Sequence, residues 1–184
     1  GDWVRVSDEV LDRGSDQIAR VVTDPADDFL PSAGDRFSWS GIYFANPADA
    51  GLSAREIPIN TPAGAASAWL IAGEEDCSTW AIHIHGLGST RAGTLRGAQV
   101  AAEMGYTSLV ISYRNDGEGP RFDTGRSMLG FMEAEDAEAA ADHALQNGAH
   151  RIVLFGWSMG AAIALRAASR ARARGVIAAV VLDS

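Results

Sequence analysis

The stretch that decides the fold is Arg151–Ala164, which reads Arg-Ile-Val-Leu-Phe-Gly-Trp-Ser-Met-Gly-Ala-Ala-Ile-Ala. Its first residues form an apolar run typical of a buried strand, and the residues from Met159 onward predict a helix. Ser158 lies at the junction, with Gly156 and Gly160 two positions away on either side. A strand that bends sharply into a helix needs such small neighbours to close without collision. The pattern predicts an exposed serine at the carboxyl end of a strand, where open α/β sheets bind their ligands.

Strands and helices alternate along the chain on either side of this junction. Apolar runs predict strands over 80–84, 107–112, 151–155 and 176–182, and helices are predicted over 92–104, 133–146 and 159–172. Such alternation is typical of a mostly parallel sheet with helices on both faces, so we expect an α/β fold with a doubly wound sheet. Upstream, residues 55–60 and 65–72 flank the turn Thr61-Pro62-Ala63-Gly64 and predict an antiparallel hairpin.

The first 35 residues form an acidic segment that we interpret as an N-terminal arm. The whole chain has a net charge of −9, which argues against binding to nucleic acid because phosphates require a basic face. Apolar residues between positions 10 and 22 predict one side of a helix over 7–23, which Asp24-Pro25 would end. Residues 36–45 predict a strand. Residues 36–184 are the expected main domain.

A second glycine-rich segment, His85-Gly86-Leu87-Gly88-Ser89, directly follows the strand predicted over 80–84. A loop of this kind lets a backbone N–H point into the cleft that holds Ser158. Acyl transfer needs two such donors on its tetrahedral oxyanion, each worth about 10²–10³ in rate. We expect the N–H groups of Leu87 and Met159 to be these donors, and Leu87 and Trp157 to wall part of the cleft. The supporting motif residues are His85, Gly86, Gly88, Gly156, Trp157 and Gly160.

These two segments resemble the α/β-hydrolase superfamily, and the resemblance runs from about residue 55 to residue 184. It points to the serine hydrolases with a His-Gly-x-Gly oxyanion loop, which include esterases and prolyl-oligopeptidase-like peptidases. Residues 112–117, Ser-Tyr-Arg-Asn-Asp-Gly, are similar to a Tyr-Arg-Gly segment of those proteins, with Asn115 in place of the glycine. The resemblance implies that residues 36–184 are the N-terminal two-thirds of such a domain, with a sheet incomplete at its C-terminal edge.

The resemblance also implies a catalytic triad with Ser158 as nucleophile, followed along the chain by an acid and then a histidine. None of the four histidines, at positions 83, 85, 143 and 150, follows an acid in that order. For His83 and His85 we expect packing or hydrogen-bonding roles. Asp183 is either an orienting acid or an ordinary turn residue. We expect the base and acid in a C-terminal part absent from this chain, with which the chain pairs, and we expect the 184 residues alone to be inactive.

The expected reaction is hydrolysis of an ester, thioester or amide through an acyl-enzyme on Ser158, with a small acyl or peptide substrate. An acyltransferase would use the same serine, and a catalytically silent α/β-hydrolase-like binding protein is the alternative from another class. Epoxide hydrolases carry Asp where Ser158 stands. Residues 114–132 are interpreted either as a substrate-contacting segment or as a solvated loop. No residue spacing indicates a metal, and no cofactor is expected. Two locations stay open, the cytoplasm and an extracytoplasmic one with an anchor removed before Gly1.

Overall fold

The computed structural model describes residues 4–7, 9–12, 14, 18–25, 31–36, 44–170 and 175–183. The chain divides into two compact units, Gly1–Ser40 and Gly41–Ser184. The domain boundary that we expect at residue 36 stays a prediction, and the strand expected over 36–45 falls mainly on residues outside the described ranges. Within those ranges, no helix has the length and apolar character that crossing a membrane requires.

The described part of the N-terminal unit contains short strands. They are β1 (Val4–Val6), β2 (Leu11–Asp12), β3 (Ile18–Ala19) and β4 (Val22–Pro25). β1 pairs with β4 and β2 pairs with β3, both in antiparallel fashion. The helix predicted over 7–23 is therefore wrong. Gly14 lies near its midpoint with a φ of 110°, which a helix interior does not accommodate, and the β-branched valines and isoleucines around it favour strands.

A six-stranded sheet organises the second unit. Its strands are β5 (Ala54–Thr61), β6 (Gly64–Ile71), β7 (Thr79–Ile84), β8 (Thr107–Ile111), β9 (Arg151–Trp157) and β10 (Ile177–Asp183). They lie in the order β10-β9-β7-β8-β6-β5. Strands β7 to β10 are parallel, whereas β6 is antiparallel to both β5 and β8. The predicted hairpin and the predicted mostly parallel sheet are both confirmed.

Helices cover both faces of this sheet. They are α1 (Leu95–Glu103), which follows a single 3-10 turn at Arg91–Thr94, then α2 (Glu133–Gln146) and α3 (Met159–Ser169). Along β7, Trp80, Ile82 and Ile84 pack in one core with residues of α2 and α3. Ala81 alternates to the other face and packs with Ala101 of α1. The sheet is doubly wound, as its sequence pattern predicts.

The direction in which the chain moves across the sheet changes at β7. From β7 the chain passes through α1 to β8 on one side, and from β9 it passes through α3 to β10 on the other side. In open α/β sheets the crevice at such a switch point, beyond the carboxyl ends of the strands, is where ligands bind. The crevice between β7 and β9 is flanked here by the two glycine-rich segments at Gly86 and Gly160.

A buried ion pair fixes the segment that leaves β8. Arg114 is only 2% exposed, and its Nε and one terminal nitrogen donate to the two carboxylate oxygens of Asp136 at 2.8 and 2.7 Å. The backbone N–H of Arg114 also donates to Asp136, at 2.9 Å. Asp136 belongs to α2, so this pair ties the start of the 114–132 segment to a core helix. The side chain of Arg114 is thereby committed to the protein interior and does not face a substrate.

We expect Asp136→Asn to lower the free energy of unfolding by up to about 3–5 kcal/mol, because it removes the buried carboxylate opposite Arg114 and leaves only the partly exposed Glu135 carboxylate, 3.0 Å away, as an ionic partner. Urea denaturation measures this change. Asp142→Asn, on the same helix but only half-buried, is the matched control and is expected to change stability by no more than about 0.5 kcal/mol. Equal losses in the two variants would contradict the assignment of the Arg114 pair as an anchor.

Candidate active site

Ser158 lies at the turn between β9 and α3 with a backbone conformation that few L-residues adopt. Its φ is 51° and its ψ is −120°, and its side chain is exposed. The Ser158 N–H donates to the carbonyl oxygen of Asp183 at 2.7 Å, which ties the turn to the end of β10. Among the described residues none hydrogen-bonds to Ser158 Oγ. The hydroxyl is therefore presented to solvent by a backbone held under strain.

Glycines surround this turn because three pieces of backbone approach one another closely. A Cβ on Gly156 would overlap the backbone of Gly160 and Ala161. A Cβ on Gly160 would overlap the carbonyl oxygen of Ile84, at the end of β7, and would lie 2.8 Å from that of His85. Any side chain at either position would push α3 away from the sheet and would change the direction of the serine.

The loop after β7 meets the serine turn at Gly86. A Cβ built on Gly86 would lie 3.0 Å from Ser158 Cβ and 3.5 Å from Ser158 Oγ, so the two residues are neighbours. The Ser89 N–H donates to the Gly86 carbonyl at 3.3 Å and closes a four-residue turn. Gly88 has a φ of 70° at the third position of this turn, as in type II turns. Leu87 occupies the second position and is 60% exposed.

Two backbone N–H groups beside the serine have no acceptor within the described parts of the chain. One belongs to Leu87, which directly follows Gly86. The other belongs to Met159, the first residue of α3. The first N–H groups of a helix have no intrahelical acceptor, and the helix dipole makes this end attractive to negative charge. The role of these two N–H groups as oxyanion donors stays a prediction.

A buried network fixes the side chain of His85. Its Nε2 donates to Asp116 Oδ2 at 2.9 Å, and its Nδ1 lies 2.9 Å from the Gly86 carbonyl oxygen. The Tyr113 hydroxyl donates to the His85 carbonyl at 3.0 Å, and the Tyr113 ring stacks on the imidazole with centroids 4.4 Å apart. The imidazole therefore holds the loop after β7 in place. Its two nitrogens contact Asp116 and the Gly86 carbonyl, and neither is hydrogen-bonded to Ser158.

Asp116 has a structural role in this network that its sequence pattern does not predict. Its carboxylate also accepts hydrogen bonds from the N–H groups of Tyr113, Glu118 and Gly119. Burial by itself would raise the pKa of Asp116, but the hydrogen bonds from His85 and the backbone outweigh it and lower the pKa. The preceding residue, Asn115, has a φ of 62°, a conformation that Asn adopts more readily than most residues. Asn115 can therefore fill a position where the resemblance implies glycine.

The other three histidines lie away from Ser158. His83 is fully buried. Its Nε2 forms a hydrogen bond of 3.2 Å with Ser108 Oγ, and its ring stacks on Phe155. His143 is in α2, and His150 precedes β9, at the end of that strand opposite to Ser158. Asp183 touches the serine turn through its carbonyl oxygen, while its side chain is exposed.

Trp157 does not wall the cleft as we expect from the sequence. Its ring lies against His83 and Phe155, with ring centroids 5.9 and 6.1 Å away. A Cβ on Gly97 of α1 would overlap the same ring. The side chain of Trp157 alternates to the α1 face of the sheet, because residues along β9 alternate between faces. Within the described ranges, no group of three or more His, Cys, Asp or Glu could hold a metal ion.

Comparisons with known proteins agree on the fold. Residues 81–184 match the sequence profile of the alpha/beta hydrolase family. An esterase of Pyrococcus furiosus is similar with a TM-score of 0.62 and 23% identity, over 73% of this chain and 52% of that one. An a/b serine hydrolase without lid from Xanthomonas campestris is similar with a TM-score of 0.54 and 24% identity, over 64% and 56%.

An epoxide hydrolase from an endophytic Streptomyces is also similar, with a TM-score of 0.54 and 22% identity, over 70% of this chain and 36% of that one. At these identities the likeness to solved structures shows the fold alone. The chain spans about half the length of the first solved structures that it matches. No curated protein sequence matches it.

We expect stability to fall as the pH drops below 6.5, because burial lowers the pKa of His83 from 6.5 to about 3. The unfolded chain takes up a proton near pH 6.5 while the folded protein does not, so acid favours unfolding. Between pH 6.5 and about 5, His83 is expected to account for about 1.5–2 kcal/mol of lost stability. Urea denaturation at a series of pH values measures it. His83→Gln should flatten this slope, and an unchanged slope in that variant would contradict the assignment.

Proposed function

This chain belongs to the alpha/beta hydrolase family, and on that premise we propose that it carries the nucleophile and the oxyanion donors of a serine hydrolase. The substrate is an ester, a thioester or an amide. The observation that carries the proposal is the exposed Ser158 at a φ of 51°, directly beside the backbone of Gly86. A strained, solvent-facing serine at a strand-to-helix turn is the arrangement that presents a nucleophile above the sheet.

In the proposed reaction Ser158 Oγ attacks the carbonyl carbon of the substrate and gives its proton to a base. The carbonyl oxygen becomes a tetrahedral alkoxide, which accepts hydrogen bonds from the N–H groups of Leu87 and Met159. When the alkoxide collapses, the alcohol, thiol or amine leaves with the proton, and the acyl group remains on Oγ. Water then adds to the acyl-enzyme by the same route and releases the acid.

The general base and its orienting acid are proposed to lie in a C-terminal part outside this sequence. His85 is engaged by Asp116 and Gly86, and His83 is buried on the α1 face of the sheet. The family order of nucleophile, acid and histidine also puts the missing partners after Ser158. We propose that the 184 residues alone hydrolyse substrates slowly or not at all, since serine without a base is a weak nucleophile.

One observation favours a second function, a catalytically silent binding protein that uses the same cleft. No described histidine hydrogen-bonds to Ser158 Oγ. An acyltransferase is the alternative among enzymes, because it would form the same acyl-enzyme and then exclude water. The labelling experiment below separates the silent protein from either enzyme.

We expect a fluorophosphonate probe to label the longer protein that includes the proposed C-terminal part, and Ser158→Ala to abolish the label. Ser53→Ala, at an exposed position upstream of β5, is the matched control and should retain full labelling. Mass spectrometry of the labelled peptide identifies the modified residue. Absence of labelling in the longer protein, with the fold intact by circular dichroism, would support the silent binding protein instead.

We expect Leu87→Pro to slow phosphonylation of Ser158 about 10²–10³-fold, because it deletes one N–H donor of the oxyanion site. Proline suits the second position of a type II turn, so the turn itself should persist. Leu87→Ala, which removes the side chain but keeps the N–H, is the matched control and should stay within about threefold of the parent. Similar rates for the two variants would show that the Leu87 N–H is not a donor.

A further inference from the structure

Residues 127–132, which we name the apolar loop, expose three large apolar side chains to solvent. Met128 is 53% exposed, Leu129 is 69% exposed and Phe131 is 55% exposed. Large apolar side chains exposed side by side mark binding surfaces more often than singly scattered ones. The proposed reaction assigns no role to this loop.

A buried carboxylate gives the apolar loop a defined conformation. Glu133 is 1% exposed, and one of its oxygens accepts hydrogen bonds from Ser127 Oγ at 2.6 Å and from the Met128 N–H at 2.8 Å. Its other oxygen accepts from the Gly130 N–H at 3.0 Å. Burial would raise the pKa of Glu133, but these hydrogen bonds lower it. A buried carboxylate is costly unless its oxygens accept hydrogen bonds. The loop donors must therefore stay in place around Glu133, which fixes the loop in this conformation.

The backbone of the apolar loop is strained at the residue that is most exposed. Leu129 has a φ of 52°, and Gly130 follows with a φ of 88°. A left-handed conformation costs a residue with a side chain about 1–2 kcal/mol, so the Glu133 clamp maintains an unfavourable geometry. Strain of this kind is found at binding and catalytic sites, where it fixes the direction of a side chain.

The apolar loop lies against the beginning of α3. A Cβ on Gly130 would lie 3.3 Å from Ile163 Cγ1 and 3.5 Å from Ala162 Cβ. At the start of the loop, Ser127 Oγ lies 3.4 Å from the Met159 sulfur. Met159 directly follows Ser158, so the apolar loop begins near the proposed nucleophile, and Gly130 packs on the first two turns of α3. Further along α3 the Arg166 guanidinium lies over the Phe131 ring, 4.6 Å from its centroid, which leaves Met128 and Leu129 as the uncovered apolar side chains.

We propose that the apolar loop binds the acyl chain of the substrate, so that the esters or thioesters acted on carry long, unbranched apolar acyl groups. This inference rests on the proposed function of Ser158. The three side chains expose on the order of 300 Å², well below the roughly 800 Å² that each partner buries in a stable protein interface. A flexible hydrocarbon chain fits a surface of this size, and a covalently tethered one is held beside it while attached to Ser158.

The test is run on the longer protein that includes the proposed C-terminal part, and it uses the methionines at positions 104, 128, 132 and 159 as reporters. Their ¹³C-labelled ε-methyl groups are followed by NMR while sodium decanoate or sodium butanoate is added. Met128 and Met159 lie at the proposed acyl site, whereas Met104 directly follows α1, three residues before the start of β8, and is 54% exposed. Met104 is therefore an exposed control within the same molecule.

We expect decanoate to shift the Met128 and Met159 signals in a saturable way and to leave the Met104 signal in place. Each buried methylene tightens binding by up to about fourfold, so decanoate should bind at least about tenfold more tightly than butanoate. Leu129→Ser should weaken decanoate binding about fivefold or more. Val100→Ser, which removes a comparably exposed apolar side chain from α1, should not change it.

Three outcomes would overturn the proposal. One is the absence of any Met128 shift, and another is an equal shift of Met104, which would indicate unspecific association with the fatty acid. The third is a Met128 shift that follows protein concentration without ligand, which would indicate contact between two copies of the chain.

The result can be told apart from failure of the serine hydrolase itself, because fatty acid binding does not require a reactive serine. Ser158→Ala should keep the decanoate shifts. If the shifts are seen but the longer protein is not labelled by fluorophosphonate, the hydrolase proposal fails and the loop stands as an apolar ligand site. If labelling succeeds and the shifts are absent, the acyl-chain assignment alone fails.

Discussion

The close approach of α3 to the end of β7 is the constraint on which the rest of the site depends. Gly160 lies against the carbonyl oxygens of Ile84 and His85, at a distance that leaves no room for a Cβ. With the helix so close, the connection from β9 must turn within one residue, and Ser158 takes a φ of 51° to do so. The same approach brings Gly86 beside the serine. Exposure of the hydroxyl, the direction of the first α3 N–H and the position of the following loop are thus consequences of one steric contact.

Buried carboxylates, rather than apolar contacts, organise the loops at this edge of the sheet. Asp116 joins the His85 loop to the segment after β8, and Asp136 fixes Arg114 on α2. Glu133 holds the apolar loop beside Met159. A carboxylate that accepts several N–H donors fixes their relative positions, whereas apolar packing tolerates sliding. Their burial has a stability cost, which is acceptable because each of these charges has its partners in place.

The two ends of the segment 114–132 have different roles in the structure. Arg114 and Asp116 face inward and hold the segment, so they are not available to a substrate. The distal part, from residue 127 to 132, exposes apolar side chains near α3 instead. The segment therefore has a buried polar part at its start and an exposed apolar part at its end. Its role toward a substrate depends on the outer part alone.

The sequence by itself determined the α/β fold, the hairpin and the serine turn. These features have local signatures: runs of apolar residues, a two-residue turn at Pro62-Ala63, and glycines two positions from a serine. Only the tertiary structure decided that His85 meets Asp116, which lies 31 positions further along the chain, and that Trp157 packs on α1. It also decided that strands lie at Leu11–Asp12, Ile18–Ala19 and Val22–Pro25, where the sequence predicts a helix. Such features depend on which loops and faces meet when the sheet assembles. Hydrophobic periodicity describes each element separately and carries no information on these encounters.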